Sequence, residues 1–214
     1  MIHSLLRRAG TWWWLGAAFL LSGCAAFAPS VPEPPTERIT QLWQQHAQSV
    51  RAQTEWTLNA RIAAHNENDG WSGKLYWQQG KEIYQMNFNA PFGQGGLQLD
   101  GNSQRVEMHT TDGQMLVAAD AESLLRQQFG WRLPLNSLRY WVRGVPVPTK
   151  GVAPLLFFGE AGRLDRLRQS GWDIEYPSYR LADGLMLPRK VYLENDDLSV
   201  RLVIDRWSPG ASSR

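Results

Sequence analysis

The hydrophobic residues of this chain change period three times, and each change marks a boundary between elements. Ile39, Leu42, Trp43, His46, Ala47 and Val50 recur at spacings of three and four. That spacing predicts an amphipathic helix running to about Gln53. Thr36 stands where an N-cap belongs, and Glu37 falls in the first turn. The polar face carries Gln where a membrane-lying helix would carry Lys and Arg, so this helix is read as packing on a sheet.

From Trp56 the period becomes two. Trp56, Leu58, Ala60 and Ile62 oppose Thr57, Asn59 and Arg61, and Asn66 to Gly70 makes a polar turn. Trp71, Gly73, Leu75 and Trp77 alternate with Ser72, Lys74 and Tyr76 up to a turn at Gly80. Ile83 to Phe88 follow, with Tyr84, Met86 and Phe88 on one face. Leu97 with Leu99, Val106 with Met108, and Met115 with Val117 continue the pattern, and Asp112-Gly113 is a hairpin signal. Short strands at this regular spacing predict an antiparallel meander curling into a barrel.

The middle of the chain returns to a helical period. Asp120 caps a predicted helix carrying Leu124, Leu125 and Phe129, and Gly130 ends it. After Pro134, Asn136 is the expected cap of a second short helix with Leu138, Tyr140, Trp141 and Val142, closed by Gly144. Two apolar-faced helices between two strand series suit a lid over a barrel mouth. Pro146, Pro148 and Pro154 impose an extended connection, and Leu155 to Phe158 reads equally as strand or short helix. Strands resume with Leu164 and Leu167, Trp172 to Tyr176, Val191 and Leu193, and Leu198 to Ile204, with Trp207 closing the domain. Ser208 to Arg214 reads as a disordered tail.

The first residues follow a different logic. Arg7 and Arg8 precede an uncharged apolar run, Trp12 to Leu21, which leads to Leu21-Ser22-Gly23-Cys24. That order matches a signal peptide of residues 1–23 ending at a lipobox. Cys24 is the only cysteine, which excludes an internal disulfide, and no ligand cluster surrounds it. A thiol is the nucleophile that thioether formation with a diacylglyceryl group needs, and two or three acyl chains anchor a protein firmly where one does not. No later apolar run is long enough to span a bilayer. Ala25 stands after the lipidation site, where Asp would mark retention in the inner membrane, so the outer membrane is the expected destination. Residues 24–35, with Pro29, Pro32, Pro34 and Pro35, form an extended tether to a domain spanning 36–207.

Charge and chemistry narrow the function. Removing Arg7 and Arg8 leaves 20 of the 22 basic residues against 20 acidic ones, so nothing favours a nucleic acid. His46, His65 and His109 sit on separate elements, and no G-x-S-x-G elbow occurs. Gly93-Gln94-Gly95-Gly96 leads into a strand rather than a helix, which makes it a poor phosphate loop. No enzyme activity, metal or cofactor is expected. Eight of the 11 Trp lie beyond residue 23, a set suited to pleated sheets and apolar pockets. In Asn89 to Gly96, Pro91 fixes φ and three glycines permit positive φ around Phe92. Phe92 either folds back over the barrel or inserts elsewhere, and the residues alone leave both open.

An ordered set of segments carries a family resemblance. Trp71-Ser72-Gly73-Lys74-Leu75-Tyr76-Trp77, Pro91-Phe92-Gly93-Gln94, Asp120-Ala121-Glu122, Leu133 to Leu138, Trp141 to Pro146, Gly171-Trp172 and Trp207 together resemble the LolB family. The resemblance covers essentially the whole chain after Cys24. It implies an α+β, mainly β fold: an unclosed antiparallel barrel with a helical lid over an apolar cavity. It implies a receptor that takes acylated lipoproteins from the periplasmic carrier LolA and inserts them into outer-membrane lipids, acting as a monomer. It implies that the loop of Pro91, Phe92 and Gly93 projects and targets the membrane, with Phe92 where the family commonly has Leu. For such a cavity the expected lining is Trp56, Leu58, Ile62, Leu75, Tyr84, Met86, Phe88, Leu97, Leu125, Phe129 and Trp141. Arg139 and Arg143, one turn apart, either face a partner or lie on a solvated face. The competing readings are a carrier of free lipid or glycolipid and a structural envelope lipoprotein with a filled barrel.

Overall fold

A computed structural model describes residues 34–91 and 95–209; Cys24 and the tip residues Phe92, Gly93 and Gln94 fall outside the described residues. The chain order is α1 (Glu37–Ala52), β1 (Trp56–His65), β2 (Gly70–Gln79), β3 (Tyr84–Asn89), β4 (Gly96–Gly101), β5 (Val106–Thr110) and β6 (Met115–Ala118), then α2 (Ala121–Phe129) and α3 (Leu135–Trp141). β7 (Leu155–Phe158), β8 (Leu164–Gln169), β9 (Trp172–Ala182), β10 (Leu185–Glu194) and β11 (Ser199–Pro209) follow. The strands make one antiparallel sheet ordered β6-β5-β4-β3-β2-β1-β11-β10-β9-β8-β7. Its edges, β6 and β7, are the strands on either side of the helical segment, and they do not pair.

Alternation along each strand puts the apolar side chains on one face, and register lines them up across the sheet. One row runs Trp207, Leu58, Trp77, Met86, Leu99, Met108, Leu116 through six successive pairs of strands. The first six of these are buried. A second row, Leu193, Ile174, Leu167, Leu156, crosses the other half. A strand-period pattern with one buried face is what specifies such a register, since a one-residue slip would turn every one of these side chains to solvent.

The helices cover that face. In α1, Thr36 accepts a hydrogen bond from Ile39 N, as its sequence position predicts. Ala47 and Val50 are buried, and Trp43 packs on Phe158 of β7 at 5.5 Å between rings. The helix therefore reaches from the β7 edge to the start of β1. Gly162, in the β7–β8 turn, makes this possible: its φ is +67°, and a Cβ there would lie 2.4 Å from the Cβ of Leu42. In α2, Asp120 Oδ1 accepts from Ser123 N at 2.7 Å, and Gly130 closes the helix at φ 71°.

Several expectations change in detail. Leu155 to Phe158 is a strand, the edge strand β7. Asn136 does not cap α3; the cap position is Pro134, without a side-chain bond, and Asn136 lies inside the first turn. β3 begins at Tyr84, which leaves Ile83 in the turn and exposed. β6 turns the opposite face inward: Met115 and Val117 are exposed, while Leu116 and Ala118 pair with Met108 and Val106. The Asp112-Gly113 turn sets this register, and a four-residue edge strand carries too few residues for its pattern to reveal it. β11 continues through Ser208 and Pro209, pairing with Thr57 and Trp56, two residues beyond the expected start of the tail.

Two consequences follow for stability. Gly162→Ala adds both a strained φ and a clash with α1, and it should cost about 3 kcal/mol in urea unfolding, against a few tenths for an open site such as Gly151→Ala. His46 has its pKa held below the usual 6.5, first by burial and then by the charge of Arg163. Its neutral form is favoured in the folded state, so the associated stability is complete above pH 6.5 and declines as pH falls below it. His46→Leu should flatten the stability-against-pH curve in that range.

Candidate functional site

Strand direction sorts the connections into two poles. The β1–β2 turn, the β3–β4 loop, the β5–β6 turn and the β10–β11 turn share one, because His65 pairs with both Gly70 and Ser199, Asn89 with Gly96, and His109 with Met115. The start of β1, the end of β11 and the β9–β10 hairpin lie at the other.

At the first pole six apolar residues enclose a small cleft: Trp71, Phe88, Leu97, Leu125, Phe129 and Trp131. Its open volume is about 30 Å³, on the order of one water molecule. Ring contacts tie the walls together, with Trp71 5.9 Å from Phe88 and 6.5 Å from Trp131, and Phe129 5.3 Å from Trp131. Gly73 lies beneath, where a Cβ would meet the Asn89 carbonyl oxygen at 2.3 Å. Trp131 Nε1 is buried and has no hydrogen-bond partner among the described residues. An unpaired donor inside an apolar cleft is a group that gains from a carbonyl oxygen.

The β3–β4 loop springs from the same pole. Its stems are pinned by Ala90 N donating to Gly95 O at 2.9 Å and Gly96 N donating to Thr111 Oγ1 at 3.3 Å. Pro91 is exposed, and Gly95 takes a φ of +119°.

The eleven residues expected to line one cavity are distributed differently. Phe88, Leu97, Leu125 and Phe129 meet at the cleft. Leu58, Ile62, Leu75 and Met86 are buried in the core beneath the helices, and Trp141 is buried on α3 itself. Trp56 is also buried, and it borders a separate cleft at the other pole. Tyr84 lies at that pole too, over Gly101 and near Asp120; burial, then the Asp120 charge, pushes its phenol up to about 12. Trp131 was not among the expected residues. It follows Gly130 in what reads as a helix-breaking loop, so only its place beside Trp71 reveals it.

Of the two arginines, Arg143 departs from both expectations. Arg143 is 7% exposed. Its Nη1 donates to Val50 O at 3.0 Å and Gln53 O at 2.7 Å, and its Nε to Arg139 O at 2.9 Å. Arg139 packs on the Tyr140 ring, and its Nε is buried. Trp141, nearby, donates to Gln169, whose amide also exchanges two bonds with Val147. These bonds fix α3 and the segment after it to α1 and β8, and Tyr176 of β9 donates its hydroxyl to Trp141 O at 3.0 Å.

The walls of the cleft differ in what they cost to change. Phe129 is 37% exposed and Leu125 is 3%. Phe129→Ser should shift stability by about 1 kcal/mol or less, and Leu125→Ser by about 3 kcal/mol or more, in denaturant titrations.

Comparison with known proteins agrees with this architecture. The family model described as outer membrane lipoprotein LolB matches residues 54–207. A relative from Nitrosococcus oceani, named outer-membrane lipoprotein LolB, is 35% identical over 92% of this chain and 96% of its own. One of the same name from Alkalilimnicola ehrlichii is 36% identical over 90% and 93%. Among solved structures, a LolA superfamily protein from Nitrosomonas europaea has a TM-score of 0.52 at 8% identity, covering 81% of this chain and 94% of its own. A protein titled as an outer membrane lipoprotein-sorting protein domain, from Vibrio parahaemolyticus, has a TM-score of 0.51 with the same coverages; both show a shared fold. By sequence over most of its length and by fold, this chain belongs to the LolB family of outer-membrane lipoproteins.

Proposed function

We propose that this protein takes acylated lipoproteins from a soluble LolA-type carrier and delivers them into the outer membrane. The observation that carries the reading is that an apolar, aromatic cleft and the stems of the β3–β4 loop share one pole. An acyl chain needs apolar walls without strong polar ligands, so that it can leave as readily as it enters; each Å² of apolar surface it buries contributes roughly 25 cal/mol. At its present volume the cleft holds no chain. Entry requires α2 to swing from the β5 and β6 strands it packs on, carrying Phe129 away from Trp71 and Phe88. The buried core residues Leu58, Ile62, Leu75 and Met86 then become the deeper wall. Trp131 Nε1 is available to a carbonyl of the client's acyl groups.

In this reading Cys24 is lipidated and residues 24–35 tether the domain to the membrane. Phe92 at the loop tip enters the lipid interface and brings the cleft mouth to it. The deciding experiment is transfer from a loaded carrier to outer-membrane vesicles. Phe92→Glu should still accept cargo, yet deliver it at least about tenfold more slowly, since a carboxylate resists entering the interface. Phe92→Leu should deliver normally, and Cys24→Ala should accept cargo without floating with membranes. Normal delivery by a stable Phe92→Glu protein sinks the loop's role. Binding of free lipid without any acceptance from the carrier replaces the receptor reading with that of a lipid carrier.

A further inference from the structure

At the pole away from the loop lies a second cleft of about 120 Å³. Its apolar walls are Val50, Trp56, Leu185, Leu187 and Trp207. Arg143 also lines it, and it is the only Lys or Arg among the described residues to do so. Arg143 is buried as a residue, and no carboxylate comes within 4.0 Å of its guanidinium among the described residues. Its hydrogen bonds use Nη1 and Nε only; among the described residues no bond is made by Nη2. Asp183 stands at the rim on the β9–β10 hairpin and is exposed.

The guanidinium also lies over the Trp56 and Tyr140 rings, 5.8 Å from each centroid, so its partners are carbonyl oxygens and ring faces and none of them carries a matching negative charge. A helix cap would be served as well by Lys or a neutral donor; with Nε and Nη1 already bonded to carbonyl oxygens, the two N–H of Nη2 remain for an oxygen of a carboxylate or phosphate. The cleft beside it is apolar and flanked by two tryptophan rings 5.5 Å apart. A bare inorganic anion would leave those walls unused, and a neutral alkyl group would leave the charge unpaired.

We propose that this cleft binds the anionic end of a small amphiphile, a carboxylate or phosphate monoester with a short alkyl segment. The charged group sits on Arg143, and the alkyl segment lies against Trp56, Leu187 and Trp207. The site is distinct from the apolar cleft at the loop pole and does not depend on the transfer reading.

The test uses the full chain in neutral detergent, labelled with 5-fluorotryptophan, with the Trp56 and Trp207 signals assigned by Trp→Phe variants. Butanoate or butyl phosphate should shift both signals saturably in the millimolar range, and whichever binds more tightly identifies the headgroup. Butanol and inorganic phosphate should not shift them at the same concentrations. Arg143→Lys should weaken binding about tenfold. Because Arg143 also holds α1, a second variant is needed: Ala182→Phe fills the cleft from the hairpin and should abolish the shifts while the other tryptophan signals stay in place. No saturable shift with either amphiphile overturns the proposal. So does an equal response to butanol or to inorganic phosphate, or a response that survives Ala182→Phe.

Discussion

An antiparallel sheet whose edges do not meet must bury its apolar face by some means other than closing. In this protein the cover is helical, and everything else depends on that cover being held. α1 crosses from the β7 edge to β1, and α3 is fastened by Gln169 to the segment at Val147 and by Arg143 to the end of α1. α2 is the exception. It packs on β5 and the edge strand β6 and carries the exposed Phe129. Ala121, Leu124 and Leu125 seat α2 on the sheet, while Phe129 at its end faces the cleft.

The division of aromatic residues follows the same logic. Trp56, Trp77 and Trp207 form a packed cluster at one pole, with ring separations of 4.8 and 5.5 Å, and they serve the core. Trp71, Phe88, Phe129 and Trp131 form a looser set at the other pole, where their rings, from the buried Phe88 to the exposed Phe129, border a small cleft. Rings bury large area with few torsions, so they can line a cleft without filling it.

Much of the sheet was legible because alternation is a strong signal when one face is dry. β1, β9 and β11 follow the alternating pattern of Trp56 to Ile62, Trp172 to Tyr176 and Leu198 to Ile204. Legibility failed where elements were too short to show a period. β6 presents the face opposite to the expected one, and Leu155 to Phe158 has the same composition as a buried helix turn. The helix cap at Asp120 was readable from a side chain that acts locally, while α3 begins at Pro134 without one. The site was only partly readable. Its residues come from β2, β3, β4 and α2, and Trp131 joins them through tertiary packing rather than through any local pattern. Arg143 looked like a surface residue because nothing in the sequence marks which carbonyls a long side chain will find.

The strand order also dictates how the molecule can come into being. β1 pairs with β2, made immediately after it, and with β11, made last. Until β11 is present, the sheet exists as two separate meanders, β1 to β6 and β7 to β10, each with a raw edge where the joint will form. Closing that joint brings together residues more than a hundred positions apart, a step of high contact order that is slow compared with hairpin formation. Only with β11 in place does the row through Leu58 gain Trp207 and the row through Leu193 gain Val200. The last strand is thus the keystone of assembly, and the incomplete chain is the form most in need of protection from aggregation.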